Sequence, residues 1–327
     1  MRTEAEWIGY LQQRFPARGE LRVGIGDDAA VLAGDARRDW VVTTDFLIEG
    51  VHFLRGAQPG GAVGWKALAR SLSDIAAMGA RARYALVALA VPGATPTDWV
   101  KDFFAGVNRL ARRYGVKLAG GDLSAAPQIV ADVQVLGEVE KRRAVLRSGA
   151  RPGETLFVSG TLGRSQLGLA VLRRHTRPLR GLLKSALRAH CYPEPRLRLA
   201  RALVRRGGVS ALIDLSDGLS TDLAHLCKAS RVGARIFAKQ IPAVRLPRTL
   251  AERFGTNGLT LALDGGEDYE LLFTLPKARA ARLPNKLAGV KLTPIGEITP
   301  GRRLTLVDAA GRERPLRPRG WDHFRRR

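Results

Sequence analysis

The sequence predicts an α+β protein of two domains, each built on a mixed sheet. Three observations carry this. Segments of strand and helix periodicity are interleaved without the strict βαβ alternation of a parallel sheet. A basic stretch over residues 141–153, ending in Pro152-Gly153, precedes a fresh strand and divides the chain into residues 1–146 and 147–327. Both halves also place acids beside glycines or other small residues just after a strand.

The elements follow in order. Glu4–Phe15 has Trp7, Ile8, Leu11 and Phe15 on one helical face. Leu21–Gly26 reads as a short strand running into Gly26-Asp27-Asp28, and Ala29–Leu32 as the next strand. Trp40–Thr44 is apolar and β-branched, a strand that stops at Asp45. A loop with Glu49 and His52 follows. Gly60–Met78 is Ala-rich, with Trp65, Leu68, Leu72 and Ile75 at helical spacing, Asp74 inside it and Gly79 as its stop. Tyr84–Val91 is an apolar strand. Thr97 or Asp98 is placed to cap a helix running to Tyr114. Gly115–Ala119 reads as a strand ending in Gly120-Gly121-Asp122, and Ile129–Val139 as a long alternating strand.

The second half opens with a strand at Thr155–Ser159. A glycine-rich turn and helix over Gly160–Leu172 follow, then helices near Leu179–Ala189 and Pro195–Arg205. Ala211–Leu215 is a strand entering Ser216-Asp217-Gly218, and Leu219–Ser230 is a helix. Leu259–Leu263 leads into Gly265-Gly266-Glu267-Asp268. Strands follow at Tyr269–Leu275, Val290–Ile298 and Leu304–Val307, with a short helix at Lys277–Leu283.

Composition excludes several classes. No apolar run approaches the roughly 20 residues that cross a bilayer. Met1–Tyr10 lacks the apolar core of a signal peptide, so a cytoplasmic protein is expected. Cys191 and Cys227 show no metal or redox spacing and read as free thiols of a reducing compartment. Net charge is +24, concentrated in residues 151–327, which hold 34 Lys/Arg against 14 Asp/Glu. The densest part, Arg164–Arg206, suggests a nucleic-acid face. It carries no interleaved aromatics for base stacking and no nucleic-acid motif, so a solvated Arg-rich helical surface is preferred.

The recurring chemical unit is a strand that stops at an acid in a loop of small residues. Asp27, Asp28, Asp45, Asp122, Asp214 and Asp217 fit it, and Asp74 adds a carboxylate from a helix. Oxygen ligands suit hard cations such as Mg²⁺, which completes its shell with water and substrate phosphates. Burying Asp27 and Asp28 side by side is costly without a cation. Of the two, Asp28 is the firmer ligand. No Walker sequence, kinase catalytic loop or nucleophile elbow is present. Two acids directly after Gly24-Ile25-Gly26 would repel a dinucleotide's pyrophosphate.

Gly24–Val31, Thr43-Thr44-Asp45 with Gly50–Phe53, Ser73–Ala80, Gly120-Gly121-Asp122, Asp214–Leu219, Gly266–Leu271 and Gly320–Phe324 together resemble the thiamine-monophosphate kinase family. That family lies within the aminoimidazole-ribonucleotide-synthetase-like superfamily. The resemblance runs in order from Gly24 to Phe324. It implies ATP-dependent phosphorylation of thiamine monophosphate to thiamine diphosphate, and a homodimer in which two N-terminal halves pair into a shared β-barrel. Carried over by position, Asp28, Thr43, Thr44, Asp45, Asp74, Asp122 and Asp214 hold several Mg²⁺ ions, with Asp217 at a further ion. Gly121, Asp122, Arg147 and Ser216 contact ATP, and His52, Glu267 and Trp321 contact thiamine monophosphate. No side-chain nucleophile or base is expected, since a phosphate acceptor is already deprotonated near neutral pH and transfer needs positioning and charge neutralisation. Phe104 is a candidate to pack on adenine. The alternatives are another ATP-dependent synthetase of the superfamily and a basic nucleic-acid-binding protein. No cysteine precedes Cys191, and the chain ends in Arg325-Arg326-Arg327, which sets it apart from selenophosphate-type and hydrogenase-maturation relatives.

Overall fold

The computed structural model describes residues 3–174 and 180–324. The first half gives α1 (Glu4–Arg14), β1 (Leu21–Val23), β2 (Ala30–Ala33), β3 (Arg38–Ile48), α2 (Gly60–Ala77), β4 (Arg81–Val91), α3 (Thr97–Tyr114), β5 (Lys117–Ala125) and β6 (Val130–Glu140). Its six strands form one sheet in the order β1-β2-β3-β6-β4-β5. Only the β4–β5 pair is parallel. The second half gives β7 (Thr155–Ser159), α4 (Arg164–Arg173), α5 (Gly181–Cys191), α6 (Leu197–Arg206), β8 (Ala211–Asp214), α7 (Leu219–Ser230), β9 (Gly233–Phe237), α8 (Arg248–Phe254), α9 (Gly258–Asp264), β10 (Leu271–Leu275), α10 (Lys277–Ala280), β11 (Lys286–Leu287), β12 (Val290–Thr299), β13 (Leu304–Val307) and β14 (Glu313–Pro315). Its sheet runs β14-β13-β9-β12-β7-β10-β8, with β11 on the side of β12. The fold is thus α+β on two mixed sheets. No helix among the described residues is long and apolar enough to cross a membrane.

α2 organises the centre. Sixteen of its eighteen residues are buried, because it packs against α3 and the first sheet and also against β8 and α6 of the second half. Glycines allow the close approach. A Cβ on Gly64 would stand 1.9 Å from the Phe103 carbonyl, and one on Gly106 would stand 2.1 Å from that of Gly61. The main core unites this helix pair with Val41, Leu47, Val133 and Val135 of the sheet and with Phe157, Leu203 and Phe273 of the second half.

Several boundaries differ from the sequence reading, each for a physical reason. β3 does not stop at Asp45 but continues to Ile48. Asp45 shares the helix-covered face with Val41, Thr43 and Leu47, and Arg70 of α2 meets its carboxylate at 2.8 Å, so the charge is tolerated inside the sheet. β5 likewise runs through Gly120-Gly121-Asp122 to Ala125. It is an exposed edge strand, where an acid keeps its hydration. Neither Thr97 nor Asp98 caps α3; Pro96 occupies that position, with no side-chain cap. Leu259–Leu263, given no element type by the sequence, lies in a helix, α9. The apolar face of α1 is not buried, Phe15 being 60% exposed. Leu179, the first residue of one expected helix, lies outside the described residues, as do Arg325–Arg327. β9, α8, β11 and β14 had no distinct sequence signal.

Candidate active site

Three acids from three elements converge. Asp28 comes from the loop between β1 and β2, Asp74 from the last turn of α2 and Asp214 from the end of β8. Each offers an oxygen within 4.8 Å of the other two. Thr43 of β3 donates to Asp74 Oδ2 at 2.6 Å. Ser73 donates to Asp214 Oδ2 at 2.6 Å. Arg147, from the connection between the sheets, places Nη2 2.7 Å from Asp28 Oδ1. Its backbone N–H donates to Asp27 at 3.2 Å, and the Asp28 N–H donates to Asp27 Oδ1 at 3.0 Å. Asp27 therefore shapes the loop, and Asp28 faces the cluster.

The electrostatics are those of an under-neutralised site. Burial pushes the Asp214 carboxyl up to about 8, and the Asp28 charge adds to this. Asp74 is raised well above the usual carboxylate range by burial and then by Asp45, Asp214 and Asp28. Burial, then Asp28, lifts Asp27 to about 6. Asp28 Oδ2 is buried without a hydrogen bond among the described residues. One guanidinium beside three carboxylates leaves negative charge uncovered. A hard divalent cation fits this donor set: all-oxygen, converging, and with an orphaned buried oxygen available.

A second group lies beside it. Glu267 enters from the loop before β10 and meets Lys66 Nζ of α2 at 2.6 Å, with Arg70 Nη1 at 3.8 Å. Although burial opposes it, Lys66 leads the cations that hold Glu267 ionised, down to about 2. Nδ1 of His52 accepts the Ile48 N–H at 3.0 Å, and burial pushes the ring down to about 3, so it is neutral. The C-terminal segment closes this side. The Trp321 N–H donates to the Asp217 carbonyl at 3.1 Å. The His323 ring centroid lies 5.0 Å from that of His52 and 5.5 Å from that of Trp321. Ser216 accepts the Glu267 N–H at 2.7 Å.

The structure thus brings Asp28, Thr43, Asp74, Asp214 and Arg147 together, with Asp45 tied in through Arg70. His52, Glu267 and Trp321 stand around the second group. Asp217 is nearby, its carboxyl lifted to about 7, first by burial and then by Glu4. Thr44, Gly121 and Asp122 do not join the cluster. The Thr44 side chain points to the open face of the sheet and bonds Asp132. Register places Asp122 on the same rung as Ala88 and Asp132, on that open face. A Cβ on Gly121 would stand 1.9 Å from the Val87 carbonyl, so the edge strand lies flush on β4 there. The acids read as one ring therefore fall on two sides of a sheet. Phe104 packs edge-on against Phe103.

Sequence reasoning missed Lys66, Arg70, Ser73, His190 and Asp222. Lys66, Arg70 and Asp74 fall at intervals of four in a helix of small apolar residues, a polar stripe that was available as a signal. Asp222 receives the Asp217 and Gly218 N–H groups at 3.2 and 3.0 Å and fixes the turn before α7.

Comparison with known proteins agrees with this architecture. Residues 26–139 match the AIR synthase related protein N-terminal domain and residues 151–309 match the corresponding C-terminal domain. Fold and acidic site together define an AIR-synthase-related protein. The chain is 36% identical over 300 residues to the thiamine-monophosphate kinase of Aquifex aeolicus (strain VF5), covering 92% of each. It is 36% identical over 321 residues to that of Escherichia coli (strain K12), covering 96% of each. A solved structure described as AaThiL complexed with AMPPCP and TMP superposes with a TM-score of 0.86 at 33% identity, over 98% of this chain and 97% of that one. The chain belongs to the thiamine-monophosphate kinase family and is a phosphotransferase.

Proposed function

We propose that the chain transfers the γ-phosphoryl group of ATP directly, in line, to the phosphate of thiamine monophosphate, with Mg²⁺ and as a homodimer. The observation that carries this reading is the Asp28–Asp74–Asp214 cluster, whose oxygens lie within 4.8 Å of one another beside Arg147. Asp28, Asp74 and Asp214 would hold Mg²⁺, with Thr43 and Asp45 close by and Asp217 at a further ion. Bound there, the ion would neutralise phosphate charge as donor and acceptor approach.

The chain's own residues do the rest. Arg147, permanently charged, covers an anionic oxygen at the cluster. Ser73 and Thr43 fix the rotamers of Asp214 and Asp74 by donating to them. His52, Glu267 and Trp321 would grip the ring end of thiamine monophosphate, and the neutral His52 adds no charge to repel a thiazolium. No general base is required, because the acceptor phosphate oxygen is already ionised at neutral pH. Gly121, Asp122 and Ser216 are the remaining expected contacts to ATP.

The homodimer reading is supported by the uncovered face of the first sheet, which presents Leu32, Trp40 and Phe46, the last 57% exposed. Closing two such sheets into a barrel would cover them. In this reading residues 1–146 supply Asp28, Asp74 and the dimer contact, and residues 147–327 supply Asp214 and Asp217 and complete the substrate site. The test is an assay of purified protein with ATP, Mg²⁺ and thiamine monophosphate. Thiamine diphosphate should form, and should not form when EDTA replaces Mg²⁺. Absence of product with Mg²⁺ present, while another phosphate acceptor is consumed, defeats the reading.

A further inference from the structure

Lys66 has no place in the mechanism above, yet it is a large side chain with no solvent exposure at all. A buried ammonium is expensive unless its hydrogens are placed. Here two partners take them: Glu267 Oε2 accepts at 2.7 Å and the His52 carbonyl accepts at 2.9 Å. The same nitrogen lies 2.6 Å from Glu267 Oε1, so it spans both carboxylate oxygens. One side chain on α2 therefore holds two segments far apart in sequence, and both carry a residue expected at the thiamine end of the substrate.

Glu267 needs holding. Its φ is +66°, in the left-handed region that a non-glycine residue adopts at a cost, and Tyr269 follows at +50°. The loop is anchored at its backbone through the Glu267 N–H to Ser216 and the Tyr269 N–H to Leu215. The side chain is aimed by Lys66, with His190 Nδ1 3.4 Å from its Oε2. Two buried ring nitrogens of this group, His52 Nε2 and His190 Nε2, lack a hydrogen bond among the described residues. Such unmet buried polar atoms are ones that a polar ligand can complete. With the ammonium beside it, the Glu267 carboxylate presents little net charge. It then selects by hydrogen bonding and shape.

We propose that Lys66 is a positioning residue for the thiamine ring system: it aims Glu267 and the His52 segment at the ligand and cancels the charge of the carboxylate. The inference rests on the functional reading above, and its mark is a selective effect on one substrate. Lys66→Met keeps length and volume and removes the charge. It should raise the KM for thiamine monophosphate at least tenfold and leave the KM for ATP within twofold and kcat at saturation within threefold. Glu267→Gln should do the same. Because Lys66→Met leaves Glu267 without its cation, Lys66→Met/Glu267→Gln is the companion variant, neutral at both positions. If Lys66 acts through Glu267, the pair is no worse than the more severe single variant. A KM for thiamine monophosphate unchanged by Lys66→Met overturns the proposal. So does an equal rise for both substrates, a double variant whose defects multiply, or a double variant that no longer folds by circular dichroism, since the pair would then serve the fold. A wild-type protein that forms no thiamine diphosphate defeats the functional reading instead, and that arm is read first.

Discussion

Replacing Asp214 by Asn should stabilise the metal-free protein while abolishing its reaction. Asp214 is 2% exposed, and its carboxyl is lifted from 3.8 to about 8 by burial, then by Asp28. The folded state thus holds a proton that the unfolded chain releases. For an acid raised in this way, stability is greatest below pH 4 and falls as pH rises from about 4 to about 8. At about 1.4 kcal/mol per pKa unit, pH 7 sits roughly three units up that slope, a cost of about 4 kcal/mol. The neighbouring carboxylates share this cost, and the amide must replace the carboxyl group as the partner of the Ser73 hydroxyl. A net gain of about 2 kcal/mol for Asp214→Asn is therefore expected at pH 7. Urea unfolding in EDTA at pH 5, 7 and 9 measures it: the gain should be small at pH 5 and grow toward pH 8. In Mg²⁺ the order should reverse, because wild type gains from binding and the variant does not. Turnover should fall at least a hundredfold. A variant less stable than wild type in EDTA at pH 7, or one that keeps its turnover, refutes the reasoning.

Arg147→Met removes the guanidinium that meets Asp28 and should cost about 3 kcal/mol in EDTA, less in excess Mg²⁺, with a loss of turnover that added Mg²⁺ does not restore; unfolding curves and initial rates check both. His190 is pushed down to about 3 by burial, then by Lys66, whereas an unfolded histidine titrates near its ordinary 6.5. Its contribution is complete above pH 6.5 and declines as pH falls toward 3. His190→Gln should therefore flatten the loss of stability between pH 6.5 and 4, read from urea midpoints; an unchanged slope removes His190 from that account. Phe46→Asp on the open sheet face should convert a dimer to monomers by light scattering; a variant with wild-type mass places the dimer contact elsewhere.

Much of the molecule was legible in the linear chain. The periods of α2, α3, β6 and α7 gave their places to within about two residues, because long amphipathic or apolar runs leave few alternatives. Asp28, Asp74 and Asp214 stood out because an acid among small apolar residues needs a partner. Of the residues that answer them, Arg147 and Thr43 were named and Ser73 was not. Lys66 and Arg70, which meet Glu267 and Asp45, were missed although their spacing of four on α2 offered a signal. His190 has no local signal, since its neighbours come from Ser165 and Glu267.

The sequence by itself determined the class of elements, the two-sheet division and the supply of oxygen ligands, since these depend on local periodicity and residue chemistry. Only the tertiary structure decided which acids meet. Strand parity sent Thr43 and Asp45 to the helix-covered face and Thr44 to the open one. The register of β5 on β4, and of β4 on β6, put Asp122 on that open face too. Packing of β8 and the loop before β10 against α2 carried Asp214 and Glu267 to partners more than 140 residues away in the chain. That pairing depends on how two sheets share one helix, and no stretch of sequence contains it.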